Sequence, residues 1–183
     1  ATDATAVRQI MSEEGVRLPV LAKIEKPQAV DNLEEIIDAF DGIMIARGDL
    51  GVELPLERVP LVQKKAVDLA RRNAKPVIVA TQMLESMMSA TRPTRAEVSD
   101  VANAVLDRAD ALMLSGETSI GDHPILTTST MSRIIETIES ETLTTLRPAQ
   151  AAPRTKGGAI ARAAAEVGDN LDARYIVAFT TTG

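Results

Sequence analysis

From Leu18 onward, short runs of aliphatic and β-branched residues alternate with longer stretches in which apolar positions recur every three to four residues. That alternation predicts βα units feeding a parallel sheet. The predicted strands are Leu18–Ile24, Gly42–Ala46, Pro76–Thr81 and Ala111–Ser115, each nearly all apolar, as expected of strands covered on both faces. The first intervening helix sets Leu33, Ile36, Ile37 and Phe40 on one side, with Asp31 as its N-cap and Glu34 as the reciprocal partner. The second carries Val62, Ala66, Leu69 and Ala70 and stops near Asn73, ahead of Pro76. The third opens on a capping box, Thr94 with Glu97, and buries Val98, Val101, Ala102 and Val105; the fourth offers Met131, Ile134, Ile135 and Ile138.

Four strands with four following helices make half of an eightfold barrel. Between residues 141 and 156 the chain turns to Thr, Pro, Ala and Gln without an apolar period, which predicts a linker. A new unit follows, with an Ala-rich helix over Ala159–Val167, a turn over Asp169–Ala173 and a strand over Tyr175–Thr180. The expected fold class is therefore α/β: half of a (β/α)8 barrel over 1–140, a linker over 141–156 and the beginning of a second α/β domain over 157–183. A lone helix and strand cannot cover each other's apolar faces, so the chain is expected to be part of something larger.

Composition narrows the chemistry. The 183 residues are 45% apolar, enough for a sizeable core, and the absence of cysteine excludes disulfides, thiolate metal sites and thiol nucleophiles. His123, beside Pro124, is the only histidine and reads as a surface residue. A net charge of -6 with no basic stripe argues against nucleic acid, and no apolar run approaches a membrane span. A soluble, cytoplasmic protein is the expectation.

In parallel βα architectures ligands gather beyond the carboxyl ends of the strands. The first strand ends in Lys23 and Glu25, two residues apart and so on one side of an extended chain. By itself a Lys-x-Glu pair is more often a structural ion pair. One βα unit later, however, Arg47-Gly48-Asp49-Leu50-Gly51 brings another carboxylate to the same rim. Two carboxylates with no His or Cys nearby suit a hard divalent cation, Mg²⁺ or Mn²⁺, that keeps waters and takes further oxygens from substrate. Gly48 and Gly51 would let backbone N–H groups approach an anion, or else form a simple turn. Thr81 and Gln82 end the third strand, and Ser115, Gly116 and Glu117 end the fourth. Met83, Met87 and Met88 read as core packing.

The segments Leu21–Pro27, Ile43–Glu53, Val79–Met87, Arg92–Asn103 and Met113–Thr118 resemble pyruvate kinase in wording, order and spacing. The resemblance implies the C-terminal half of that family's catalytic (β/α)8 barrel followed by the start of its regulatory domain. It implies phosphoryl transfer from phosphoenolpyruvate to ADP, giving pyruvate and ATP through a Mg²⁺-stabilised enolate. Residue by residue, it makes Glu25 and Asp49 metal ligands and Lys23 the stabiliser of the transferring phosphoryl group. It places Thr81 against the substrate and the Gly48 and Asp49 amides on its carboxylate, with Arg47, Gln82, Ser115 and Glu117 in support. Thr180, Thr181, Thr182 and Gly183 resemble the opening of a loop that binds a phosphorylated effector.

The family further implies a homotetramer and K⁺, whose ligands belong to barrel strands with no counterpart before Ala1. The lid over the nucleotide has none either, so residues 1–183 alone are expected to be inactive. Two other readings compete: a barrel lyase or aldolase acting on enolates without ADP, and a non-catalytic module serving assembly or effector binding.

Overall fold

The structure is a computed structural model that describes residues 2–142, 156–177 and 179. They fall into two compact units, Ala1–Leu146 and Arg147–Gly183.

The first unit opens with helix α1 (Thr2–Glu13), which the sequence reading did not anticipate. Strand β1 (Leu21–Ile24) follows, then α2 (Pro27–Asp31) and α3 (Leu33–Ala39). Strand β1 is three residues shorter than expected because Val20 is engaged outside the ladder. Its amide donates to Asp41 Oδ2 at 2.7 Å and its carbonyl accepts from the Asp41 amide at 2.9 Å. The cap of α3 also differs from expectation. Asn32 is the N-cap, without a side-chain capping bond since its Nδ2 donates back to the Gln28 carbonyl at 2.7 Å, and Asp31 closes the preceding turn begun by Pro27. Leu33 and Ile37 still form its buried face.

Strand β2 (Gly42–Ala46) passes without a loop into α4 (Arg47–Glu53), so the glycine-rich segment, for which a simple turn was one of two readings, is helical. A 3₁₀ turn, Leu56–Arg58, leads to α5 (Val59–Arg72) and then to β3 (Val77–Ala80). After a second 3₁₀ turn, Glu85–Met88, come α6 (Arg95–Leu106), β4 (Ala111–Met113), α7 (Gly116–Ser119) and α8 (Pro124–Thr142). The capping box of α6 is present in both directions. Its buried face is Val101 and Ala104, whereas Val98 is exposed, so the apolar stripe lies further along than the pattern suggested.

The strands form one parallel sheet in the order β1-β2-β3-β4, with Lys23 opposite Met44 and Ala46 opposite Ala80. The inner strands are buried on both faces, while β1 alternates and β4 is partly open, as befits strands paired on one side among the described residues. Gly42 starts β2 where a Cβ would lie 2.7 Å from the Pro76 carbonyl oxygen, so only glycine lets the two strands meet there. The core runs from Ile24, Ile43, Ile45, Val77 and Val79 in the sheet to Val62, Ala66 and Val67 on α5. Met83 and Met87 are fully buried within it.

Among the described residues, four helices stop on the same device, a residue with left-handed backbone that closes the last turn with paired amide-to-carbonyl bonds. In α1 the residue is Gly15; in α5 and α6 it is Ala74 (φ 53°) and Arg108 (φ 68°).

The fourth such stop, Asp172, ends α9 (Lys156–Asn170) in the second unit, where the Ala173 amide returns to the Gly168 carbonyl at 2.9 Å. Tyr175–Val177 and Phe179 are not in a strand, contrary to expectation. A strand needs a hydrogen-bonding neighbour, and no pairing partner for it occurs among the described residues. Thr180, Thr181, Thr182 and Gly183 lie outside the described residues. Among those described, no helix is long and apolar enough to cross a membrane.

Candidate functional site

Because every strand runs the same way, the residues that follow β1, β2, β3 and β4 share one rim. Lys23 and Glu25 straddle the last residue of β1. Asp49 sits in the first turn of α4, directly after β2. Lys23 Nζ lies 2.5 Å from Glu25 Oε2 and 2.9 Å from Asp49 Oδ2, so two carboxylates from neighbouring units converge on one ammonium. All three side chains remain a third to a half exposed. The hydrogen bonds that Lys23 donates to Glu25 and then to Asp49 raise its pKa well above the ordinary range. The bond from Lys23 in turn lowers that of Asp49.

Thr81 joins this group from β3. Its hydroxyl accepts from the Gly48 amide at 2.7 Å and donates to the Ala80 carbonyl at 2.6 Å. Gly48 leaves just enough room, since a Cβ there would stand 3.3 Å from Thr81 Oγ1. Thr81 and Gln82 both have left-handed backbones, with φ of 69° and 53°. For a β-branched residue such as Thr that conformation is strained.

Arg47 holds this strained pair from behind. Its guanidinium is buried and donates from Nη2 to the Thr81 carbonyl at 3.0 Å, the Gln82 carbonyl at 3.2 Å and Met83 Sδ at 2.8 Å. From α6, Asp100 faces the same fork with both oxygens, each 2.6 Å from an Arg47 nitrogen, and Gln63 accepts from Nη1 at 3.3 Å. Nε of Arg47 is buried without a partner.

Ser115 and Glu117 belong to a neighbouring network. The Glu117 carboxylate is buried and accepts from the Ser115 amide at 2.8 Å and the Leu84 amide at 3.3 Å, so it braces the segment after β3. On that segment's outer side, Glu97 accepts from the Ser86 amide and hydroxyl at 2.7 and 2.6 Å. It also accepts from the Thr94 amide and hydroxyl at 2.7 and 2.9 Å. Asp100, Gln63 and the Glu97–Ser86 link were not anticipated. Their partners lie 11 to 53 residues away, and no local pattern marks such pairs.

No group of three or more His, Asp or Glu that could hold a metal occurs among the described residues. Glu25 and Asp49 still suit a hard cation. Both are ionisable oxygen donors, both are accessible, and both already gather around a positive charge. A cavity of about 520 Å³ lies at the other end of the sheet, before β4, lined by Arg71, Arg108, Ile135 and Glu139 among others. None of the rim residues contributes to it.

A parallel βα protein with its charged residues collected at the strands' carboxyl ends is thus defined. The model of the pyruvate kinase barrel domain matches residues 1–128. A pyruvate kinase of Mycobacterium tuberculosis is 62% identical over 181 residues, 99% of this chain and 38% of that protein. One from Corynebacterium glutamicum is 60% identical over 185 residues, with the same coverage. One from Thermotoga maritima is 43% identical over 181 residues, 99% of this chain and 39% of that protein. The chain belongs to the pyruvate kinase family, and it spans less than two-fifths of the length of these curated relatives.

Proposed function

We propose that this chain is the part of a pyruvate kinase that holds the divalent cation and the phosphoryl group. The whole enzyme would transfer that group from phosphoenolpyruvate to ADP. The observation that carries this reading is the convergence of Glu25 and Asp49, from successive βα units, on Lys23 Nζ. The strand order supports a further step: β1 to β4 are four consecutive staves of a (β/α)8 barrel, since neighbours in sequence are neighbours in the sheet throughout.

Phosphoryl transfer asks mainly for positioning and charge neutralisation. Glu25 and Asp49 would hold Mg²⁺ or Mn²⁺, which supplies Lewis-acid stabilisation of the enolate and phosphoryl oxygens. Lys23, kept cationic by its two partners, would neutralise charge on the phosphoryl group in flight. Thr81 and the amides of Gly48 and Asp49 would orient the substrate carboxylate, which requires the Gly48–Thr81 bond to be exchanged on binding. Arg47, Gln82, Ser115 and Glu117 would fix the backbone behind those contacts. K⁺, ADP/ATP, a phosphorylated effector, a homotetramer and a cytoplasmic location belong to this reading of the whole enzyme.

The test is Mn²⁺ binding by the folded 183-residue chain, with and without phosphoenolpyruvate. Tighter binding with substrate, lost in Glu25→Gln and Asp49→Asn, supports the assignment. Binding that neither substitution alters refutes it. The same chain should show no turnover, and measurable kinase activity would refute that part.

A further inference from the structure

Asp100 stands on α6, makes no contact with Lys23, Glu25 or Asp49 in the bonds described above, and yet ends a short chain of bonds that begins at the rim. Both its oxygens grip the Arg47 fork at 2.6 Å. One arm of that fork, Nη2, also holds the carbonyls of Thr81 and Gln82 at 3.0 and 3.2 Å. Those two residues carry the left-handed backbone, and Thr81 Oγ1 meets the Gly48 amide.

We infer that Asp100 is a positioning residue: through Arg47 it sets the Thr81–Gln82 backbone, and hence the place of the Thr81 hydroxyl at the rim. The inference rests on the reading of Thr81 as a substrate contact.

Three physical points favour this over a merely structural ion pair. A left-handed Thr persists only where its surroundings over-determine it. The Arg47 fork is the group that takes both of the affected carbonyls, so it is placed to impose that conformation. A bidentate guanidinium–carboxylate pair fixes orientation in a way a point charge cannot. Finally, Arg47 is buried with its Nε unpartnered while Asp100 stays partly exposed, an arrangement that costs desolvation and is poorly built for stability alone. Two turns of α6 reach the same loop. Glu97 clamps its far side at Ser86, so the helix holds the segment after β3 at both ends.

The test is a double-mutant cycle in the full-length enzyme that carries this segment, measuring steady-state kinetics against each substrate. Asp100→Ala is expected to lower kcat/KM for phosphoenolpyruvate at least tenfold and leave KM for ADP unchanged. In a Thr81→Ala background the same change should have little further effect. Asp100→Glu should restore part of the loss. A purely structural role would reduce the active fraction and leave both KM values alone, and that result overturns the inference. Additive effects of Asp100→Ala and Thr81→Ala overturn it as well. If Asp100→Ala does not fold, Asp100→Asn, which keeps the shape and one acceptor, is put through the same cycle with the same criteria. Should Thr81→Ala itself leave the kinetics unchanged, the assignment of Thr81 as a substrate contact fails, and the inference with it.

Discussion

The amide of Gly48 donates to Thr81 Oγ1 at 2.7 Å, joining the first turn of α4 to the residue that follows β3. The ladder between β2 and β3 ends at Ala46 and Ala80, so this bond extends the pairing into the rim. The hydroxyl is fixed from both directions, since it also donates to the Ala80 carbonyl.

Thr81→Val keeps the shape and removes the hydroxyl, leaving a half-buried amide without its acceptor. Urea unfolding should show a loss of about 1–2 kcal/mol. Thr81→Ser, which keeps the hydroxyl and sheds a methyl at a strained backbone, should lose less than about 1 kcal/mol. Equal losses in the two variants would show that the hydroxyl bond contributes nothing.

Burial opposes ionisation of Glu97, but its bonds from Ser86 and Thr94 outweigh that and hold the carboxyl below its ordinary value of 4.5. The folded state therefore binds the proton less readily than the unfolded state. The resulting stability is present above pH 4.5 and lost as pH falls through the lowered folded value. Glu97→Gln should cost about 2 kcal/mol at neutral pH and flatten the acid limb of the stability profile. An unchanged acid limb would count against the role given to these bonds.

The ammonium of Lys23 is held above its ordinary pKa of 10.5 by Glu25 and Asp49. On the alkaline side its ion pairs stay intact up to pH 10.5 and are lost as pH rises through the raised value. The Lys23 Cε resonance should therefore show a midpoint above 10.5, and Asp49→Asn should bring it down. A midpoint at or below 10.5 in the unaltered protein would mean that the pairing does not persist in solution.

Ala74 ends α5 with φ of 53°, a conformation that glycine adopts without strain. Ala74→Gly should raise stability by about 0.5–1 kcal/mol, measured by thermal or urea unfolding. A loss instead would mean that the greater freedom of glycine in the unfolded chain outweighs the relief of strain.

How much of this was written plainly in the chain varies with the distance over which the physics acts. Strand β2 and the capping box of α6 are set by neighbours a few residues apart, with Gly42 and Thr94–Glu97 as local marks, and both were legible. So was the gathering of Lys23, Glu25 and Asp49 at one rim, because parallel strands carry their ends to one side. The start of β1 was not, because Asp41, 21 residues beyond Val20, takes the Val20 amide out of the ladder. Helix α1, with apolar residues too sparse to read as a face, was missed. The Arg47–Asp100 fork spans 53 residues and has no signature in either segment alone. A strand over Tyr175–Thr180 looked plausible from its β-branched and aromatic content, but β-propensity describes a fit to a sheet and does not supply one.

The two outer strands, β1 and β4, give the sheet an extensible character. Each keeps one row of backbone donors and acceptors that none of the described residues pairs. Edges of that kind are templates on which further strands can pair, so the sheet formed by the described residues is built to be extended at both sides.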